Sequence, residues 1–103
     1  MSGIIYSTLM KADYLNMRST VFPTLVRAAC AHNNVPYTPE VLQFCATRPS
    51  IINALEVVDV ENLDASLQAF ARDPEAAGIM DSLIINAVLD FHQSIIGEPN
   101  GDN

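Results

Sequence analysis

Charged residues are scarce in this chain of 103 residues, and the scarcity limits what its surface can bind. They make up 17% of the sequence, against about 25% in an average domain. Only five residues are basic and twelve are acidic, which gives a net charge of −7 at pH 7. A chain of this sign repels the phosphates of nucleic acids and of anionic membranes. We therefore expect neither a nucleic acid nor a membrane among its partners.

Residue types that carry catalysis or bind metals are also few. Cys30, Cys45, His32 and His92 are the only cysteines and histidines, and no Cys-x-x-Cys or His-Glu-x-x-His spacing occurs. On a helix, Cys30 and His32 would diverge by about 200° and could not form a thiolate–imidazolium pair. The four glycines are isolated, which excludes a glycine-rich phosphate loop. The sequence thus predicts no catalytic residue, no metal site and no cofactor, and a non-enzymatic protein whose two thiols are buried.

Long apolar runs are missing as well. The longest fall far short of the ~20 residues that span a membrane, and no basic segment precedes an apolar one at the N-terminus. With two cysteines interpreted as reduced core residues, the simplest expectation is a cytoplasmic protein.

The charges that are present divide unevenly between the two halves. Residues 1–50 carry four basic and two acidic side chains, a net charge of +2. Residues 51–103 carry Arg72 alone against ten acidic side chains, a net charge of −9. The second half could attract a basic protein, or its acids could serve only solubility.

Hydrophobic residues are abundant, at 50% of the chain, and they recur at helical spacings of three and four from end to end. The predicted fold is all-α, a compact bundle of five to six short helices packed around a long C-terminal helix. We expect one helical domain over residues 1–97 and a disordered polar tail over residues 98–103.

Polar residues followed by proline mark several helix starts. Thr38-Pro39 and Asp73-Pro74 each place a capping side chain before a proline at the first helical position, and Pro49 starts another helix. The other predicted helices cover residues 4–17, begin at Ser19 or Thr20, and begin after Asp59. The last helix is expected over residues 74–96, with Gly97 ending it.

This last helix carries more apolar surface than one core can use. At ~100° per residue, one broad face collects six apolar side chains: Met80, Ile84, Ala87, Val88, Phe91 and Ile95. A second stripe, Ile85, Leu89 and Ile96, lies away from the first. An ordinary surface helix has one apolar face, so this helix is either buried on both sides or half of an interface.

We therefore expect a protein–protein interaction module, most simply a homodimer formed through the last helix. The expected contact is Ile85, Leu89 and Ile96, with Ile79 and Leu83 as a further patch; His92 flanks the stripe and could make the contact sensitive to pH. The alternative is a small acidic regulator or inhibitor that binds a basic host protein through its acidic C-terminal half.

Overall fold

Six helices and no strand make up residues 9–96, which are the residues that the computed structural model describes (for Ile96, the backbone alone). Helix α1 covers residues 9–18 and ends as the π-helix Tyr14–Arg18. The others are α2 (Val21–His32), α3 (Pro39–Ala46), α4 (Pro49–Ala54), α5 (Leu63–Arg72) and α6 (Pro74–Ile96). The predicted all-α architecture with a long C-terminal helix is confirmed.

The polar-plus-proline signals start helices where the sequence predicts. The hydroxyl of Thr38 accepts a hydrogen bond from the backbone N–H of Val41 at 3.2 Å, and Pro39 occupies the first turn of α3. A carboxylate oxygen of Asp73 accepts from the N–H of Glu75 at 3.2 Å at the start of α6. Both side chains satisfy amides that have no partner within the helix, which is why the helices begin there.

One side of helix α6 forms part of the core. It packs against α2, α3, α4 and α5, which together we call the cradle. Four α6 side chains are buried in this contact: Met80, Ile84, Ala87 and Val88. The cradle supplies large buried residues opposite them, among them Phe22 of α2, Ile51 of α4 and Leu67 of α5.

Two helix ends differ from the predicted ones. The last turn of α1 is widened, because the N–H of Ser19 donates to the carbonyl of Tyr14, five residues back, at 2.8 Å. A 3₁₀ turn, Val60–Asn62, precedes α5, so Asp59 lies at the start of that turn and its side chain makes no capping hydrogen bond. The expected cap of α5 is thus displaced by one short turn.

Two charged side chains join distant parts of the chain. Lys11 is 5% exposed, and its ammonium donates to the carbonyls of Leu55 at 3.0 Å and Glu56 at 2.7 Å, just beyond α4. Asp64 accepts from the hydroxyl of Ser19 and from the N–H of Thr20, the latter at 3.0 Å. The first contact fixes α1 against the end of α4, and the second fixes α5 against the start of α2.

Some expectations fall outside the described residues. These are the start of the first helix at residue 4, the stop at Gly97 and the tail over residues 98–103. Among the helices of residues 9–96, none is long and apolar enough to cross a membrane.

Candidate interaction surface

The candidate surface is the side of α6 that faces away from the cradle. Ile79 is 62% exposed there and Leu89 is 38% exposed, although both are large aliphatic residues. Helix α6 begins at Pro74 and runs for 23 residues. The buried stripe on its other side packs against the cradle and thereby sets the direction and rotation of the helix. The two exposed side chains are therefore held on a rigid element rather than on a loop.

Leu83 and Ile85 lie on either side of these exposed residues. Both are partly buried and pack against the edge of the core. Ile85 also lines a groove of about 250 Å³ between α6 and α2, opposite Leu25 and Ala28. Each residue thus has one side in contact with the cradle and one side that remains accessible.

Ser82 and Asn86, which sequence reasoning did not single out, lie between the apolar residues. Both are exposed; Ser82 follows Ile79 by three residues, Asn86 follows Ser82 by four, and Leu89 follows Asn86 by three. Residues with this spacing follow one line along a helix. We call this line, formed by Ile79, Ser82, Asn86 and Leu89, the outer seam. The signal was present in the sequence, but a search for apolar residues alone passes over it.

His92 and Ile96 lie toward the end of α6. His92 is half-buried and faces an apolar groove of about 330 Å³, lined also by Val35 and Pro36 of the α2–α3 connection. Ile96 is the last helical residue, but its side chain lies outside the described part of the structure. The structure therefore brings four of the six predicted residues together along the outer side, with His92 at its edge.

The sequence predicts Ile95 as part of the buried stripe, and this prediction is wrong. It is 56% exposed and lines the same groove as His92. The helical spacing places it correctly beneath Phe91, but α6 extends here beyond the buried part of the cradle. Phe91 itself is only partly buried, with its ring centroid 5.3 Å from that of Phe44.

The outer seam contains no charged residue. The acidic residues of α6 are Glu75, Asp81 and Asp90, and none belongs to the seam. A carboxylate oxygen of Asp90 lies 3.5 Å from the guanidinium of Arg48, which also stacks over the ring of Phe44 at 4.6 Å. The pair is exposed to water, so it contributes little to stability. Its effect is to hold Arg48 beside the end of α6.

The two thiols lie inside the core and are not joined by a disulfide. Burial raises the pKa of the Cys30 thiol. For Cys45, burial raises the pKa to about 12, with a smaller upward contribution from Cys30 and a downward one from Arg48. Both cysteines therefore remain protonated at neutral pH, whereas a nucleophile or a metal ligand must be a thiolate. In residues 9–96, no three His, Cys, Asp or Glu side chains form a group that could hold a metal ion.

Comparison with known proteins adds no functional assignment: no protein-family model, no curated protein and no solved structure matches the chain.

Proposed function

We propose that this protein is a non-enzymatic protein–protein interaction module that forms a homodimer through the outer side of α6. The observation that carries the proposal is the exposure of Ile79 and Leu89 on a rigid helix whose outer seam has no charge. Large aliphatic side chains exposed along one line of a helix, with no charged residue between them, favour contact with protein over contact with water. Leu83 and Ile85 extend the contact on both sides, because each is only partly covered by the cradle.

The non-enzymatic part of the proposal rests on the state of the thiols. Cys30 and Cys45 are the strongest nucleophiles that the sequence offers, and both are buried with raised pKa values. His32 is exposed at the end of α2, two residues from Cys30, whose side chain is buried. A buried, protonated thiol is a core residue rather than a reactive group.

The decisive experiment replaces Leu89 by Glu and measures the molecular mass by light scattering over a range of concentrations. The wild-type chain is expected to reach the dimer mass, and Leu89→Glu is expected to remain monomeric. An unpaired carboxylate in a desolvated contact costs several kcal/mol, enough to dissociate a micromolar dimer. The variant should stay folded, because Leu89 is already 38% exposed within one subunit.

Two control variants separate the interface from the core and from a general effect of charge. Val88→Glu places the same group one residue away at a fully buried position, and should unfold the chain. Gln68→Glu adds one negative charge at an exposed position of α5 and should leave both the fold and the dimer unchanged. A wild-type chain that is monomeric at high concentration would refute the homodimer. Unfolding of Leu89→Glu would instead assign Leu89 to the core.

The acidic regulator remains a second candidate because three exposed carboxylates lie close together in sequence. Glu56, Asp59 and Glu61 belong to the connection between α4 and α5, and all three border one shallow depression. Such a cluster would attract a basic partner, with an affinity that falls as salt screens the charges over ~8–10 Å. Salt-sensitive binding of a lysine-rich probe peptide, lost in a Glu56→Gln, Glu61→Gln variant, would favour this function over the homodimer.

A further inference from the structure

The outer seam has an internal symmetry that bears on how a second copy would lie. Its four residues are spaced evenly about position 84, so that a half-turn reversal exchanges Ile79 with Leu89 and Ser82 with Asn86. The same reversal exchanges Glu75 with Gln93, which continue the spacing at the two ends and are both exposed. A two-fold interface must be complementary to itself in this way.

We infer that two copies of α6 pack antiparallel, with the two-fold axis on the outer side of the helix at the level of residue 84. The inference rests on the proposed function and deepens it by assigning the direction and register of the contact. Ile79 of one protomer then lies against Leu89 of its partner at each end of the central contact. Ser82 faces Asn86 between them, and an amide and a hydroxyl can satisfy each other by hydrogen bonding.

The residues beside the seam fit the same register. Leu83 and Ile85 lie on opposite flanks of the seam, each one position from residue 84. The two-fold axis therefore brings Leu83 near Leu83 of the second copy on one flank and Ile85 near Ile85 of the second copy on the other, each pair about 3 Å apart along the helix axis. Both are partly buried against the cradle and so have apolar surface left to cover. The small residues Gly78 and Ser82 leave room for the helices to approach.

A parallel pairing of the same helices is worse electrostatically. It would place Glu75 against Glu75 of the second copy, whereas the antiparallel pairing places Glu75 against the amide of Gln93. It would also align the two helix dipoles, whereas the antiparallel pairing opposes them. For a chain with a net charge of −7, a contact with the same acidic chain must avoid facing carboxylates.

Charge also argues for a second copy over a different partner. A basic partner would find no carboxylate on the seam from Ile79 to Leu89 with which to pair. A second copy needs none, because it presents the same alternation of apolar and uncharged polar side chains.

Disulfide trapping distinguishes the two directions. Ile79→Cys and Leu89→Cys are prepared separately, one of them with a purification tag, and are oxidised alone and as an equimolar mixture. In the antiparallel register, position 79 of one protomer faces position 89 of its partner, so the mixture should give a covalent heterodimer. Neither variant should cross-link to itself, because the two copies of position 89 lie about 15 Å apart along the axis, beyond the ~7 Å that a disulfide permits.

The outcomes separate the inference from the proposed function. Self-cross-linking of Leu89→Cys, or a dimeric mixture with no cross-link, would overturn the antiparallel register and leave the homodimer in place. A monomeric wild-type chain would overturn both. Wild-type protein oxidised under the same conditions measures any background cross-linking through Cys30 and Cys45, which are buried.

A charge variant tests the register independently. Gln93→Lys places an ammonium opposite Glu75 twice in an antiparallel dimer and should tighten it about fivefold, since exposed ion pairs are individually weak. In a parallel dimer the same change sets lysine against lysine and weakens association. Gln93→Glu is the matched control, and should weaken the antiparallel dimer about fivefold. Weaker dimerisation by Gln93→Lys, measured by sedimentation, would overturn the inference.

Discussion

The inner and outer sides of α6 are both rich in aliphatic residues, yet they differ in composition and in burial. The inner stripe is apolar without interruption from Met80 to Val88 and is nearly closed to water. The outer seam alternates Ile79 and Leu89 with Ser82 and Asn86, and remains exposed within one subunit. Apolar content alone therefore does not separate a core from a surface. The polar residues placed between the apolar ones are the better sign, because they keep an uncovered face compatible with water.

The largest effect that tests this comparison is a difference in the free energy of unfolding between two isoleucines of α6. Ile84 is 1% exposed and Ile79 is 62% exposed. Ile84→Ala should destabilise the chain by about 2–5 kcal/mol, because it removes buried methyl groups and leaves a cavity. Ile79→Ala should cost less than about 1 kcal/mol under conditions where the chain is monomeric.

Urea unfolding of the two variants followed by circular dichroism provides the measurement. Because the two variants carry the same substitution on the same helix, differences in helix propensity largely cancel. Equal losses of stability would remove the distinction between the two sides of α6. A large loss for Ile79→Ala that grows with protein concentration would instead reflect the proposed dimer, since association adds to apparent stability.

The sequence predicts the inner side of α6 well, since helical spacing and the caps at Asp73 and Thr38 depend only on neighbouring residues. It fails where the outcome depends on the arrangement of distant segments. The burial of Lys11 follows from the position of the carbonyls of Leu55 and Glu56, more than forty residues away. No local pattern announces such a contact, because lysine is ordinarily an exposed residue.

The candidate surface shows the same limit of local patterns in two places, the exposure of Ile95 and the position of the outer seam. Periodicity gives the angle of a side chain around the helix but not the point along the axis where the neighbouring helices stop. Ile95 therefore has a core-facing angle and an exposed position. The seam was visible in the spacing of Ser82 and Asn86, but only the rotation of α6 in the cradle shows that it faces outward.

A smaller effect, the pH dependence of stability caused by the thiol of Cys45 on α3, tests whether water is excluded from the inner side. Burial raises the pKa of this thiol from an ordinary value of 9.0 to about 12. Between these two pH values the folded chain therefore retains a proton that the unfolded chain releases. The contribution of the protonated Cys45 thiol to stability is fully present below about pH 9. Between pH 9 and 12 this one group should lower the free energy of unfolding by about 1.4 kcal/mol per pH unit.

Urea unfolding at pH 7, 9 and 10 with a reductant present measures this dependence. Tyrosines and lysines also titrate at alkaline pH, so the readout is the difference between the wild-type chain and Cys45→Ala. The variant should be less stable at pH 7, because it leaves a small cavity, and should lose less stability on going to pH 10. Parallel pH profiles for the two proteins would mean that the Cys45 thiol ionises in the folded state, and that water reaches the inner side.

The smallest expected effect concerns the polar contact that holds α5 against α2 within the cradle. Burial acts to raise the pKa of Asp64, but hydrogen bonds from Ser19 and Thr20 outweigh it and hold the pKa below its ordinary value. The stability that the ionised Asp64 carboxylate contributes is therefore present above about pH 4 and is lost as the pH falls through the lowered pKa. Asp64→Asn should cost about 1 kcal/mol at pH 7, since the group is partly open to water, and nothing in strong acid. Asp59→Asn, whose side chain makes no capping hydrogen bond, is the control and should match the wild-type chain in urea unfolding. If Asp64→Asn also matched it at pH 7, the inner side of α6 would be held by apolar packing without this contact.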